Sequence, residues 1–253
     1  YDENGDYTNY EDYQANWLSD NPVKSAKEIS ALTTTTRFLG TVFADYAFTP
    51  ALKFRTSFST DLTFATDEQF KSPITADAQT VGGEAFEANF KNTTWLNENI
   101  LTYTKDIGQN NLTLMGGFTL QKSVTNQSSI TGQGFPAGGL NNISSAAAIV
   151  KGTGTETLWS LMSFLGRANY SFKDKYLLTA TIRADGSSRF SEDNRFGYFP
   201  SASVAWRISQ EAFMQDVSAI SDLKLRVSYG LTGDQEIGDF QNITFYSPTR
   251  YYG

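Results

Sequence analysis

The 253-residue chain contains no cysteine and no histidine, which removes disulfides, thiol chemistry, the usual transition-metal ligands and most nucleophile–base pairs. Its net charge of −7 gathers at the front, where residues 1–36 hold seven acids against two lysines, and neither part is basic enough to engage nucleic acid. The longest apolar run, Ala146–Val150, falls far short of the roughly 20 residues a transmembrane helix needs, but strands that alternate apolar with polar residues cross membranes without such a run.

In chain order, Asp2, Asn4 and Asp6 stand at alternate positions like half of a calcium loop. Tyr7 occupies the place of the turn glycine and Tyr13 that of the closing glutamate, so residues 1–36 are expected to form a solvated acidic loop. Asn21 and Pro22 predict a short helix inside it, with Asn21 as cap and Pro22 as first residue. Strand alternation begins at Arg37. Phe38, Val42, Tyr46 and Phe48 share one face, opposite Leu39, Thr41, Phe43 and Asp45. Thr49 and Pro50 turn the chain into a return strand, Leu52 to Thr63, with Phe54, Phe58 and Leu62 on one face and Arg55, Ser57 and Asp61 on the other. This turn sets opposed residue numbers to sum to about 100, so Asp45 should face Arg55 and Tyr46 should face Phe54.

A polar loop is expected at 66–91, then a strand from Trp95 to Lys105 whose faces are both mixed. Asn111 to Gln121 places Leu112, Leu114, Phe118 and Leu120 on one side. A long Ser-, Gly- and Asn-rich loop covers 123–157. The strand Trp159 to Phe172 turns back through Lys173, Asp174 and Lys175. Three strictly alternating segments then organise the whole chain: Tyr176 to Asp185, Pro200 to Ile208 and Leu223 to Thr232. A loop at 186–196 separates the first two, and a polar insert, Gln210–Asp222, separates the last two. The run from 233 to 253 begins another loop.

The connections alternate short and long, as in outer-membrane barrels with short periplasmic turns and long external loops. Tyr46, Phe48, Phe54, Tyr103, Tyr170, Phe172, Tyr176 and Trp206 cluster near the short connections, where an interfacial aromatic girdle sits. Alternation alone also suits a soluble sandwich, so a soluble all-β carbohydrate-binding module stays open, as does a complete eight-stranded outer-membrane barrel.

The segments DGSSRF (Asp185–Phe190), GYFPSASVAWRIS (Gly197–Ser209) and SDLKLRVSYGLTGDQEIG (Ser221–Gly238) resemble the barrel region of SusC-like (RagA-like) TonB-dependent transporters. The runs RFLGTVFADYAFTPALKFRTSFS and SFLGRANYSFKDKY are similar to that family too, so the resemblance covers most of Arg37 to Gly238. It implies an all-β fold: an antiparallel transmembrane β-barrel segment of about eight meandering strands over 37–232, taken from the middle of a larger barrel of about 22 strands. The plug, signal peptide and remaining strands are expected to lie elsewhere in the transporter. Residues 1–36 become an acidic extracellular loop and 233–253 the start of a further external loop. The implied setting is the outer membrane of a Gram-negative bacterium, as a multi-pass β-barrel. The implied activity is import of large nutrients, oligosaccharides or peptides, with no enzymatic step and no cofactor. The implied partners are a SusD-like lipoprotein, the TonB system acting through the plug, outer-membrane lipid and the remaining strands of the same transporter.

On this reading Asp45, Arg55, Arg167, Arg183, Asp185, Arg207 and Arg226 face the lumen, as cross-strand charge pairs or as contacts to the plug. No oriented base or nucleophile accompanies them, so no catalytic residue and no metal ligand is expected. The loop aromatics Phe86, Phe90, Phe135, Phe196 and Phe240 are candidates for stacking on substrate. Val42, Phe58, Leu114, Phe118, Ile182, Val204 and Val227 are expected to face lipid. The first and last strands are expected not to pair with each other.

Overall fold

The structure, a computed structural model, describes Gly5, Tyr7 and residues 21–136, 140–214, 217 and 219–238. The calcium-like motif at Asp2, Asn4, Asp6 and Tyr13 lies outside the described residues, as does Phe240.

Asn21 accepts a hydrogen bond from the Val23 N–H at 2.9 Å and Pro22 opens helix α1 (Pro22–Glu28), as the cap chemistry predicts. Eight strands follow: β1 (Ile29–Ala47), β2 (Leu52–Lys71), β3 (Glu84–Ile107), β4 (Asn110–Gln133), β5 (Ala148–Phe172), β6 (Tyr176–Ser187), β7 (Phe196–Arg207) and β8 (Lys224–Gly230). Among the described residues they form a single sheet in sequence order, β1 to β8, each strand bonded to its sequence neighbours. Among the described residues no ladder joins β1 to β8, so the sheet is unclosed and a complete eight-stranded barrel is not what this chain forms. The chain divides into two compact units. One comprises residues up to Phe38, Asp61–Thr93 and Val124–Thr157; the other comprises Leu39–Thr60, Thr94–Ser123 and Leu158 onward.

Several strands run further than their apolar alternation. β1 starts at Ile29, not Arg37, so part of the expected acidic loop is strand. β2 and β3 extend to Lys71 and from Glu84, shrinking the loop expected at 66–91 to 72–83. β4 and β5 shrink the loop expected at 123–157 to 134–147. The reason lies in the backbone. A ladder needs only N–H and C=O groups, so polar segments continue it, here with Thr33 donating to Asp67 at 3.0 Å and a Ser129–Thr153 hydroxyl pair at 2.7 Å.

The register of β1 and β2 follows the sum near 100. Thr41 and Ser59 hydroxyls meet at 3.0 Å, the Phe48 N–H donates to the Leu52 carbonyl at 3.0 Å, and Arg55 reaches Asp45. β3, unorientable from its sequence, is oriented by its neighbour: Trp95 stacks at 6.2 Å on Phe58, so its odd-numbered residues share the apolar side of β2. Its faces read as mixed because Asn97 and Asn99 also lie on that side. They satisfy each other at 2.7 Å, and Thr56 donates to Asn99 at 2.9 Å.

From β5 to β8 the register builds continuous rows across the sheet. Phe172, Tyr176, Trp206 and Leu225 stand opposite one another in turn, as do Tyr170, Leu178, Val204 and Val227. A third row runs Gly166, Ile182 and Pro200. Directly opposed residues share a face, so these rows make one apolar surface. It is exposed: Ile182 is 55% accessible, Val204 56% and Val227 66%. Val42, Phe58 and Leu114 are exposed as well, whereas Phe118 is half-buried against Phe164 at 5.1 Å between ring centroids.

Candidate functional site

The opposite face of the sheet carries the charges. Arg55 donates through Nε and Nη2 to both Asp45 oxygens at 2.7 Å each, a planar fork on a carboxylate, and its guanidinium lies 5.0 Å from the Phe43 ring centre. Arg183 sits between two partners. Its Nε donates to Asp185 at 2.7 Å and its Nη2 to the Ser163 hydroxyl at 3.1 Å; Ser163 is almost wholly buried. Arg167 donates to Thr181 across the β5–β6 ladder at 3.2 Å. Arg207 contacts the Asp174 carboxylate at 3.6 Å in the turn below it. Arg226 stands opposite Ala205 in the β7–β8 register and is exposed. The structure thus brings together Asp45 with Arg55 and Arg183 with Asp185. Arg167, Arg207 and Arg226 are held by other groups or face solvent.

One pair escaped the sequence reading. Arg37 forks onto Asp61 with contacts of 2.9 and 2.6 Å. The signal was present: these residues lie two off the register of β1 and β2, within the diagonal reach of a long side chain.

Where β6 and β7 part, Leu161, Arg183, Asp185, Ser187, Phe190, Asn194, Phe196, Phe199 and Gln235 are among the residues that line a recess of about 450 Å³. Its floor is shaped by aromatic rings over glycines. A Cβ at Gly186 would lie 2.7 Å from the Phe196 ring, and one at Gly197 would lie 2.6 Å from that of Phe199. The Gln235 side-chain amide oxygen is buried without a hydrogen-bond partner among the described residues, while its backbone carbonyl accepts from the Ile237 N–H at 2.8 Å and from Arg189 at 3.3 Å. The Asp185 carboxylate is engaged through both oxygens by the Arg183 Nε, and Ser163 stands directly opposite it in the β5–β6 register.

Phe86 and Phe90 are half-buried in two separate recesses, of about 340 and 640 Å³. Phe135 is different. It is 6% exposed and packs edge-to-face on Phe70 at 5.2 Å, so its ring is committed to holding the connection after β4 and is not free to stack on a ligand.

At the short-turn end, Glu211 was not foreseen. Its carboxylate accepts from the Tyr176 hydroxyl at 2.7 Å, the Trp206 indole N–H at 3.1 Å and the Lys175 ammonium at 3.1 Å. The Tyr176, Trp206 and Lys175 donors, in that order, pull the carboxyl down to about 2 from an ordinary 4.5. The available signal was a lone acid five residues beyond a girdle tryptophan.

No family profile matches the chain. TonB-dependent receptor P26 of Formosa agariphila is 35% identical over 247 residues, which is 95% of this chain and 25% of that protein. TonB-dependent receptor SusC of Bacteroides thetaiotaomicron is 37% identical over 205 residues, 80% of this chain and 20% of that protein. The RagAB peptide transporter superposes with a TM-score of 0.81 at 23% identity, covering 89% of this chain and 26% of that one. The RagAB peptide importer in its open-open state gives 0.82 at 23% identity, over 94% and 27%. The chain spans a quarter or less of the length of the curated relatives it matches. Sequence and fold agree: the chain belongs to the SusC-like TonB-dependent receptors, as a segment of their β-barrel.

Proposed function

We propose that the chain forms part of the wall of a nutrient importer in the outer membrane of a Gram-negative bacterium, and that it carries no enzymatic step. The observation that supports this reading is the two-faced sheet. Its apolar rows are exposed from β5 to β8, while the opposite face is closed by ion pairs and hydroxyls. Water disfavours the first face and lipid disfavours the second, so the apolar face meets lipid and the charged face lines the lumen. Asp45, Arg55, Arg167, Arg183, Asp185, Arg207 and Arg226 then form the lumen wall, where a plug would meet them. The recess beside Arg183 and the half-buried Phe86 and Phe90 are where substrate would be read. The substrate class is oligosaccharide or peptide, and the similarity to a peptide transporter supports the second. In the full-length receptor the SusD-like lipoprotein covers the external mouth, and the TonB system acts through the plug.

The facing is tested by two neighbouring substitutions in the full-length receptor. Ile182→Arg places a charge on the lipid side and should cost about 2–4 kcal/mol of stability in lipid vesicles. Thr181→Arg, one residue away on the lumen side, should be nearly neutral. Equal costs would overturn the assignment of faces.

A further inference from the structure

The Glu211 node settles where the connection after β7 lies. Tyr176 and Trp206 stand directly opposite each other and share the apolar face with Leu178, Val204 and Ile182. Their polar tips therefore leave from that side of the sheet, and Glu211 bonds to both. Arg207, on the charged face, instead reaches the Asp174 carboxylate. The segment Ile208–Met214 must then fold round the end of β7 onto the apolar side.

Its local geometry keeps it there. Two 3-10 turns, Ile208–Gln210 and Ala212–Met214, are linked at Glu211, whose N–H donates to the Ile208 carbonyl at 3.0 Å. The Ser209 N–H donates to the Leu223 carbonyl at 3.1 Å and its hydroxyl to Asp222 at 3.0 Å, clasping the two ends of the insert. The Glu211 carboxylate is paired with the Lys175 ammonium at 3.1 Å, so the segment carries no lone charge at this node. On this segment Phe213 is 65% exposed.

We propose that Ile208–Met214 is an interfacial strap: it lies against the lipid-facing side of the wall, fastened by Glu211, and seats Phe213 among the headgroups of a glycerophospholipid leaflet. This rests on the membrane-wall reading above and adds a contact to it. Three observations choose lipid as the occupant. The strap is continuous with the aromatic row Phe172, Tyr176 and Trp206, whose rings have apolar bodies and polar tips suited to the headgroup level. Lys173, 5.3 Å from the Phe172 ring centre, adds a cation at the same level for phosphate. And among the described residues Phe213 has no ring partner, while its side chain is exposed.

The chain has no cysteine, so a single thiol within it can be labelled. In the full-length receptor, with any cysteine outside this stretch replaced, Phe213→Cys and Ile182→Cys are each coupled to an environment-sensitive fluorophore. The protein is reconstituted in phosphatidylglycerol-containing vesicles with nitroxide quenchers either at the headgroup or deep in the acyl chains. The strap predicts that position 213 is quenched more strongly by the headgroup nitroxide, and position 182 by the deep one. Quenching at 182 with none at 213 overturns the strap and leaves the wall intact. Absence of quenching at 182 overturns the wall and the strap with it. Glu211→Ala should weaken quenching at 213 and leave 182 unchanged; an unchanged signal at 213 removes Glu211 as the fastener.

Discussion

Glu211 stabilises the fold only while it is ionised, because its three donors bind the carboxylate. Its folded pKa, about 2, lies below the ordinary 4.5, so the contribution is full above about pH 4.5 and is lost as pH falls towards 2. The stability gap between the native receptor and Glu211→Gln should be constant at neutral pH and narrow across that window, which unfolding in urea at several pH values will show. Gly186 is the other residue with a sharp expectation. It stands opposite Phe196, whose ring covers the place a Cβ would take. Gly186→Ala must displace that ring, the far end of an exposed side chain, and should cost more in the same assay than Gly152→Ala, which has nothing within 4 Å of its Cβ. Arg183 and Asp185 were readable from alternation because they stand on the polar face of a strictly alternating strand. Ser163 was not, since a serine on a strand carries no pattern until its partner is known. Phe135 misled for a related reason: an aromatic residue in a polar stretch looks available, and only the position of Phe70 shows that it is packed.

At the scale of the strand, alternation located the elements and underestimated their length. Tyr176–Asp185 falls two residues short of the end of β6, whereas Pro200–Ile208 misses the first four residues of β7 and runs one residue past its end; one apolar and one polar face impose the period of two that marks both. The upper parts of β4 and β5 are Ser-, Gly- and Thr-rich, and both of their faces are polar, so no period marks them. Their pairing is nonetheless regular, as the Ser129–Thr153 contact shows. Amides across Val124–Gln133 should accordingly exchange slowly with solvent deuterium, while those of Leu140–Ala147, in the connection between the strands, exchange faster. Uniformly fast exchange across both would mean the strands end where the alternation does. The β1–β2 register was readable for a different reason: a tight turn at Thr49 and Pro50 leaves few ways to close, and Asp45 then has Arg55 directly across the ladder.

For the molecule as a whole, β1 and β8 each present one unbonded edge among the described residues. Unpaired strand edges seek partners, so the 253 residues expressed by themselves should aggregate, and detergent that covers the apolar rows should not cure it. Light scattering of the refolded stretch in detergent checks this; a monodisperse monomer would contradict it. The strict neighbour order of the sheet has a consequence for how such a wall is made and how it changes. Because, among the described residues, each strand is bonded to its sequence neighbours, no pairing waits on a distant part of the chain, and the wall can grow by accretion as each hairpin arrives. A hairpin gained or lost adds or removes two strands together, so every other residue keeps its side of the sheet. Such sheets can lengthen or shorten over evolutionary time in steps of two without rewriting which residues share the apolar face.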